Sequence, residues 1–367
     1  MTAPNRNTLW ARAIVDELAR GGVTAACVSP GSRSTPLTVA LAAHEAIRVF
    51  SHLDERSAAY FALGRARRTG EVTPLVCTSG TAAANYHPAV MEADQSRVPL
   101  LALTADRPPE LRDSGANQTA DQEKLYGDAV RWYKDLPEPE AEPRKLRSLR
   151  TTVARALTAA EGTDAGPVHL NVPFRKPLEP TEIPGDVPGD LESLAAEGRA
   201  GGASATAPSP TSTGATGPAF VERTQGTPEL PDEEIHALAD DLGVERGLIV
   251  AGPADPSEID PESIVSLAHA TGFPILADPL SGLRFGGHTR VAPVLGGYDA
   301  YLDEAVTADW PDPEAILRIG ASPTSKPLRT YLARTDAEQF VVDPAGKWRE
   351  AEFTATDLVV ADPSRLA

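Results

Sequence analysis

The sequence predicts an α/β fold with two doubly wound parallel-sheet domains joined by a low-complexity segment. Apolar runs of strand length alternate with helical patterns along residues 1–180 and again along residues 231–367, and repeated βα units of this kind form parallel sheets. Residues 181–230 form the predicted linker, because residues 195–229 are mostly Gly, Ser, Thr, Ala and Pro. Such a composition buries too little apolar surface to fold, so this insertion is predicted to be disordered.

The first domain begins with a helix whose apolar residues Trp10, Ile14 and Leu18 recur about one turn apart. Asn7 is its predicted cap, and Gly21 ends it. The later strands are predicted at 23–28, 47–51, 73–78, 98–104 and 168–172, and the later helices at 37–44, 55–67, 82–92 and 149–160. Strands and helices therefore alternate as a parallel sheet requires.

The second domain begins with a helix at Pro231, which three acidic residues follow. A proline in the first turn and acids near the amino end are typical of helix starts. The strands of this domain are predicted at 247–251, 274–278, 315–320, 339–343 and 358–361, with helical stretches between them. The same alternation predicts a second parallel sheet.

Glu55 is the candidate catalytic residue. It follows the strand at 47–51 and opens the next helix, and ligands of open parallel sheets bind outside the carboxyl ends of the strands. Glu55 could also be an ordinary first-turn acid that complements the helix dipole and pairs with Arg56. Four successive strand ends carry polar, glycine-bearing loops, which favours a binding crevice at this edge of the sheet.

The turn after the first strand is a candidate anion site. Thr35 and Pro36 are predicted to start the next helix, whose free backbone N–H groups favour an anion. Ser32 adds a hydroxyl, and Arg33 adds a bidentate donor for a carboxylate. The segment could also be only a well-capped turn. Lys326 follows a strand of the second domain. It could bind an anion, or it could simply lie next to the start of a helix, and both interpretations stay open.

Composition limits the classes of partner and compartment. The chain has 52 acidic and 34 basic residues, a formal charge of −18, which argues against binding nucleic acid or an anionic membrane. A diffuse acidic excess is also what a high-salt habitat selects. Cys27 and Cys77 lie in apolar runs and lack metal-ligand spacing, which suggests a reducing compartment. No apolar run approaches the roughly 18 residues of a membrane span, and residues 1–12 lack a signal-peptide core, so a cytoplasmic protein is predicted.

These motifs resemble the 2-succinyl-5-enolpyruvyl-6-hydroxy-3-cyclohexene-1-carboxylate (SEPHCHC) synthases of menaquinone biosynthesis, a family of thiamin-diphosphate enzymes. The matching segments are 29–37 (SPGSRSTPL), 52–59 (HLDERSAA), 78–85 (TSGTAAAN), 104–109 (TADRPP), 115–118 (GANQ), 279–284 (PLSGLR) and 325–328 (SKPL). The resemblance covers nearly all of the chain except residues 195–229. It implies a pyrimidine-binding domain followed by a central domain.

The resemblance also implies an activity and roles for individual residues. The family is a transferase that decarboxylates 2-oxoglutarate and adds the four-carbon carbanion to isochorismate, with thiamin diphosphate as electron sink. Glu55 would hydrogen-bond N1′ of the aminopyrimidine and promote the tautomer that deprotonates the thiazolium carbon. The positions that would bind substrate are Ser32, Arg33, Arg107, Asn117, Gln118 and Lys326, and those that would flank the pyrimidine are Gly80, Thr81 and Asn85.

The family has a third domain, which binds the diphosphate and its metal through a Gly-Asp-Gly motif and a later Asn. This sequence contains no Gly-Asp-Gly. The ligands of Mg²⁺ or Mn²⁺ are therefore expected in a domain absent from this chain, and no metal ligand is predicted within it. The chain is expected to be a fragment or to be complemented by a separate chain, and the complete enzyme to be a homodimer or homotetramer.

Two other readings remain open. One is a different thiamin-diphosphate carboligase of the acetolactate-synthase type, which would share the fold and Glu55. The Ser32-Arg33 turn and the cluster of Arg107, Asn117 and Gln118 argue against it, because pyruvate chemistry would not need so many basic and amide groups. The other is an inactive half-site subunit that works only with a partner chain.

Overall fold

The structure, a computed structural model, describes residues 3–200, 217–254, 259–302 and 304–366. The chain divides into two compact units, Met1–Gln225 and Gly226–Ala367. Each unit contains one six-stranded sheet in which all paired strands are parallel. The predicted α/β fold class with two parallel sheets is confirmed.

The first sheet is doubly wound. Its strands are β1 (Ala25–Val28), β2 (Arg48–Ser51), β3 (Thr73–Cys77), β4 (Leu100–Asp106), β5 (Trp132–Asp135) and β6 (Pro167–Pro173). Their order across the sheet is β2-β1-β3-β4-β6-β5. The chain runs from β1 to β2 on one side and then returns to place β3 on the other side of β1. The topological switch point, where such sheets bind ligands, therefore lies between β1 and β3.

Helices cover both faces of this sheet. They are α1 (Arg6–Arg20), α2 (Thr35–Ala43), α3 (Glu55–Thr69), α4 (Thr81–Ala84), α5 (His87–Gln95), α6 (Pro143–Glu161) and α7 (Ser193–Glu197). One core cluster joins α1, α2 and α6 through residues such as Trp10, Leu37 and Leu157. A second cluster joins α3 and α5 on the other face through small side chains such as Ala62 and Ala89, and the large side chain of Tyr86 is buried with them.

The second sheet has the order β12-β11-β10-β7-β8-β9. Its strands are β7 (Gly247–Ala251), β8 (Ile275–Ala277), β9 (Val294–Leu295), β10 (Ala315–Ile319), β11 (Glu338–Val342) and β12 (Asp357–Val359). Its helices are α8 (Asp232–Asp241), α9 (Pro261–Thr271), α10 (Glu304–Thr307) and α11 (Lys326–Arg334). No helix within the described parts of the two units is both long and apolar enough to cross a membrane.

Two strands were absent from the sequence prediction. β5 and β9 are both edge strands, at the ends of the strand orders of their sheets. An edge strand needs less apolar surface than a central one, and the half-exposed sequence of β5 and the two residues of β9 carry little strand signal. The first helix also begins earlier than predicted, because Asn5 is its cap. The amide of Asn7 instead donates to the carbonyls of Arg175 and Pro177, at 2.6 and 2.8 Å.

The first unit extends beyond the boundary predicted at residue 180. Residues 181–200 and 217–225 belong to it. The fully buried guanidinium of Arg150 pairs with Glu17 at 2.9 Å, and Glu17 also accepts the backbone N–H of Phe220 at 2.6 Å. This buried pair, together with the packing of Ala195 on the core of the first sheet, holds the Gly- and Ala-rich segment. Composition gave no sign of the buried pair. The remainder of the predicted disordered insertion, residues 201–216, lies outside the described residues.

Candidate active site

Three loops meet at the switch point of the first sheet. The backbone N–H of Arg33, after β1, donates to Thr78 Oγ1 at 3.2 Å, and Gln118 Nε2 donates to the same oxygen at 3.3 Å. Gly31 allows the first two loops to approach, since a Cβ there would lie 2.2 Å from Thr78 Cβ. The loops after β1, β3 and β4 therefore form one continuous polar edge around Thr78.

Arg33 is buried at this edge, with 4% of its surface exposed. Its guanidinium donates to the carbonyl of Phe174 at 2.6 Å, whereas its Nε has no hydrogen-bond partner. Burial lowers the pKa of Arg33, the positive charge of Arg107 lowers it further, and Asp106 opposes both effects. A buried cation that is repelled by a second cation favours a nearby anion.

Arg107 supplies that second cation. It is half-buried, and its guanidinium donates to the carbonyl of Asn117. Its Nε, like that of Arg33, lacks a hydrogen-bond partner. Within the described parts of the chain neither guanidinium forms an ion pair. The two guanidinium groups therefore place two positive charges close enough to repel each other at this edge of the sheet, where a bound anion would be stabilised.

Glu55 is the first residue of α3 and lies half-buried after β2. Its neighbour Asp54 performs the capping role, because its carboxylate accepts the N–H and the hydroxyl of Ser57 at 2.8 and 2.6 Å. Glu55 forms no ion pair with any described residue, Arg56 included. The carboxylate nevertheless lies near the end of β3: burial raises the pKa of the Cys77 thiol, and the charge of Glu55 raises it further.

The loop after β3 turns sharply at Gly80. This residue has φ +88° and its N–H donates to the side-chain carbonyl of Gln122 at 2.8 Å. A Cβ at Gly80 would lie 3.1 Å from the backbone carbonyl of Gln118, and Ser79 Oγ donates to that same carbonyl at 2.9 Å. The Gly80 loop and the Gln118 loop are therefore packed directly against each other.

The structure leaves several other predicted site residues at the surface. Ser32, Thr81, Asn85 and Asn117 are exposed near the same edge of the first sheet. The amide of Asn85 donates to the backbone carbonyl of Thr81 at 3.0 Å. Lys326 is exposed at the first position of α11 in the second unit, and its role toward the site in the first unit stays a prediction.

A buried polar cluster beneath the site was missing from the sequence reasoning. Asn171 donates to Asp106 at 2.8 Å and accepts from Gln122 at 2.9 Å, and all three are almost completely buried. Arg112 pairs with Asp106 at 3.0 Å and with Asp135 at 3.0 Å. The available signal was the presence of polar residues inside the otherwise apolar strands β4 and β6, since buried polar groups are the informative exceptions.

Comparisons with protein families divide the chain into the same two units. Residues 10–125 match the family described as thiamine pyrophosphate enzyme, N-terminal TPP binding domain, and residues 223–365 match the middle domain of thiamine pyrophosphate enzymes. The chain belongs to the thiamin-diphosphate enzyme family. The resemblance predicted from its motifs is confirmed.

Relatives named SEPHCHC synthase align with essentially the whole chain. The protein of Halorubrum lacusprofundi is 68% identical over 100% of this chain, and that of Haloarcula marismortui is 64% identical over 100% of it. The protein of Roseiflexus sp. is 47% identical over 98% of the chain. The chain spans 58%, 61% and 59% of the lengths of these three relatives.

The first unit has groups that fit the pyrimidine part of thiamin diphosphate. The Glu55 carboxylate lies at a strand end without an ion-pair partner among the described residues, and Gly80 keeps the adjacent backbone free of a side chain. A metal site does not fit: nowhere in the described parts of the chain do three His, Cys, Asp or Glu side chains form a group that could hold a metal ion. No metal-dependent step is therefore assigned to these residues.

Proposed function

We propose that this chain forms the pyrimidine-binding and central part of a SEPHCHC synthase. The reaction is the decarboxylation of 2-oxoglutarate and the transfer of its remaining four-carbon unit to isochorismate, in cytoplasmic menaquinone biosynthesis. The observation that carries this proposal is the pair of guanidinium groups at the strand ends, Arg33 and Arg107, which repel each other and form no ion pair among the described residues. Both substrates are carboxylates, and charged bidentate donors are the groups best suited to bind them.

The residues of the first unit divide into two sets of roles. Glu55 would exchange a proton with the pyrimidine ring, and Gly80, Thr81 and Asn85 would border that ring. When bound, thiamin diphosphate supplies the electron sink that decarboxylation needs. Arg33 and Arg107 would bind carboxylates, while Ser32, Asn117 and Gln118 would orient hydroxyl and keto groups. Lys326 would add a further cation from the second unit.

The metal and the assembly belong to the same proposal. Mg²⁺ or Mn²⁺ would be held by a diphosphate-binding part that corresponds to the remaining length of the relatives. The complete enzyme would be a homodimer or homotetramer, with each site shared between the pyrimidine part of one subunit and the diphosphate part of another. An acetolactate-type carboligase is less favoured, because it leaves the paired cations at the site without a function.

The test uses the complete enzyme that contains this chain. It is incubated with thiamin diphosphate, Mg²⁺, 2-oxoglutarate and isochorismate, and the release of CO₂ and formation of the coupled product are measured. A parallel reaction replaces 2-oxoglutarate with pyruvate. Product that requires both 2-oxoglutarate and isochorismate supports the proposal. Efficient turnover of pyruvate without turnover of 2-oxoglutarate would instead establish the acetolactate-type reading.

A further inference from the structure

Gln122 lies beneath the candidate site and connects three of its elements. Only 1% of its surface is exposed. Its side-chain carbonyl accepts the N–H of Gly80 at 2.8 Å, and its side-chain amide donates to Asn171 Oδ1 at 2.9 Å and to the carbonyl of Ala105 at 3.3 Å. One side chain thus joins the loop after β3 to the ends of β4 and β6.

The loops that Gln122 connects have unusual backbone conformations, which need support from neighbouring groups. Gly80 has φ +88° and ψ −146°, a conformation that other residues rarely adopt. Gln118, which packs against it, has φ +54° although it is not glycine, and such a backbone persists only where its surroundings enforce it. Two contacts provide these surroundings: Ser79 Oγ donates to the Gln118 carbonyl, and Gly80 packs closely against Gln118.

The side of Gln122 that faces the strands is firmly anchored. Asn171 uses its oxygen to accept from Thr104 and its amide to bind Asp106 and Asp135. Arg112 forms an ion pair with each of these carboxylates. The hydrogen bonds therefore run from a buried polar cluster through Gln122 to the Gly80 turn.

We propose that Gln122 is a positioning residue that fixes the Gly80 loop against the Gln118 loop, and so sets the spacing between the cofactor side and the substrate side of the site. The catalytic part of this inference rests on the proposed function. Gln122 acts through Gly80 and Gln118 and does not itself contact the substrate. Its loss should therefore reduce kcat more than it raises the KM of either substrate.

Gln122→Leu tests the link directly on the chain itself. Leucine has similar size but no acceptor, so the Gly80 N–H loses its partner. The readout is hydrogen exchange of the Gly80 amide, which should become roughly 5- to 10-fold faster, as expected for the loss of one hydrogen bond. The exposed Gln225 provides the matched control, Gln225→Leu. Unchanged exchange at Gly80 in a folded Gln122→Leu protein would overturn the proposal.

Gln122→Glu adds a kinetic test in the complete enzyme. A protonated carboxyl can accept from Gly80 and donate to Asn171, as the amide does, whereas a carboxylate faces the oxygens of Asn171 and Ala105 with nothing to donate. The kcat of this variant should be near that of the wild type at low pH. It should fall by roughly 10- to 100-fold as the introduced carboxyl ionises with rising pH, because small displacements in an active site cost this much.

The other titratable groups around Gln122 are the same in wild type and variant. They are Asp106, Asp135, Arg112, Arg107 and His169, and burial lowers the pKa of His169 to about 3, so it stays neutral. The wild-type pH profile therefore isolates the introduced carboxyl, with Gln225→Glu as control. A variant profile that parallels the wild type would overturn the positioning role. Absence of synthase activity in the wild type would count against the proposed function alone, and Gly80 exchange would still decide the link.

Discussion

Glu55 and Asp54 are neighbouring acids at the start of α3, and only Asp54 caps the helix. Asp54 accepts the N–H and hydroxyl of Ser57 and so satisfies the helix start. Glu55 is half-buried and has no ion-pair partner within the described residues. Because Asp54 already stabilises the start of the helix, Glu55 is not needed there for stability. This is the reason for proposing a catalytic role for Glu55.

We expect Glu55→Gln in the complete enzyme to fold normally and to lose turnover by roughly 100- to 10,000-fold, the usual contribution of an acid–base group. Cofactor affinity should change less, because glutamine retains a hydrogen-bonding side chain. Steady-state kinetics and a cofactor titration measure the two quantities. Glu262→Gln, in the first turn of α9, is the control for an exposed helix-start acid. Near-wild-type turnover would leave Glu55 as an ordinary helix-start residue.

Replacement of either guanidinium at the crevice should weaken substrate binding. For Arg33→Ala and Arg107→Ala we expect the KM of at least one substrate to rise by roughly 10- to 100-fold, the effect of one lost charged hydrogen bond. Arg33→Lys and Arg107→Lys should recover little of the lost substrate binding, since lysine cannot donate in bidentate geometry. The exposed Arg68, at the end of α3, provides the control Arg68→Ala. Unaltered KM values for both substrates in both variants would refute this assignment.

At the scale of the elements, buried polar side chains decide how loops are held on the strand ends. In the second unit Arg318, in β10, is almost fully buried and pairs with Glu350 at 2.8 Å. Glu350 also accepts the N–H groups of Glu352 and Thr354 at 2.9 and 3.2 Å. Arg318 also pairs with Glu352 at 3.3 Å, so the loop after β11 is held on β10 by one buried cation and two carboxylates, as Arg112 holds loops on β4 in the first unit.

This pair should make stability depend on pH. Burial by itself raises the pKa of Glu350, but Arg318 and the backbone N–H groups outweigh it, and the pKa is lowered. A lowered pKa in the folded state gives stability that is present above the usual glutamate value, about 4.3, and is lost as the pH falls below it. In urea unfolding experiments, the free energy of unfolding should therefore decrease less on acidification for Glu350→Gln than for the wild type.

The same substitution should lower stability at neutral pH by about 2 kcal/mol, because Arg318 loses its shorter charged hydrogen bond and keeps only the ion pair with Glu352 at 3.3 Å. Glu338→Gln, an exposed position in β11, is the matched control and should behave as the wild type. Equal pH dependence of the free energy of unfolding in wild type and Glu350→Gln would contradict the role given to this pair.

At the scale of the whole molecule, we propose that the chain contributes the pyrimidine side of a site; its described residues lack a group of side chains suited to a metal ion. Mg²⁺ prefers oxygen ligands that bridge carboxylates and phosphates. Most of the diphosphate charge of the cofactor would therefore go unmet on residues 1–367 alone.

We therefore expect residues 1–367 to bind thiamin diphosphate weakly, with no effect of Mg²⁺, and to leave 2-oxoglutarate unchanged. Calorimetric titration with and without Mg²⁺ measures the binding. The complete enzyme is the positive control, and Glu55→Gln in the short chain tests whether residual binding comes from the pyrimidine side. Tight binding that depends on Mg²⁺ would show that the diphosphate site lies within this chain.

The sequence by itself determined the parallel α/β class, the central strands of both sheets and the family, because these follow from local signals. Apolar runs predict central strands, and the contiguous motif at 29–37 can be recognised without knowledge of the fold. The placement of Glu55 at a strand end follows from the same local alternation. Edge strands such as β5 were missed because half-exposed segments carry a weak pattern.

Only the tertiary structure decided which polar side chains meet. The bond from Gln122 to Gly80 spans 42 residues and that from Asn171 to Asp106 spans 65, and no periodicity reports such separations. The same holds for the hydrogen bond from the backbone N–H of Phe220 to Glu17, which joins a Gly- and Ala-rich segment to the first unit. Burial and hydrogen bonding depend on the three-dimensional surroundings of a group, so polar contacts of this range become visible only after the apolar pattern has folded the sheet.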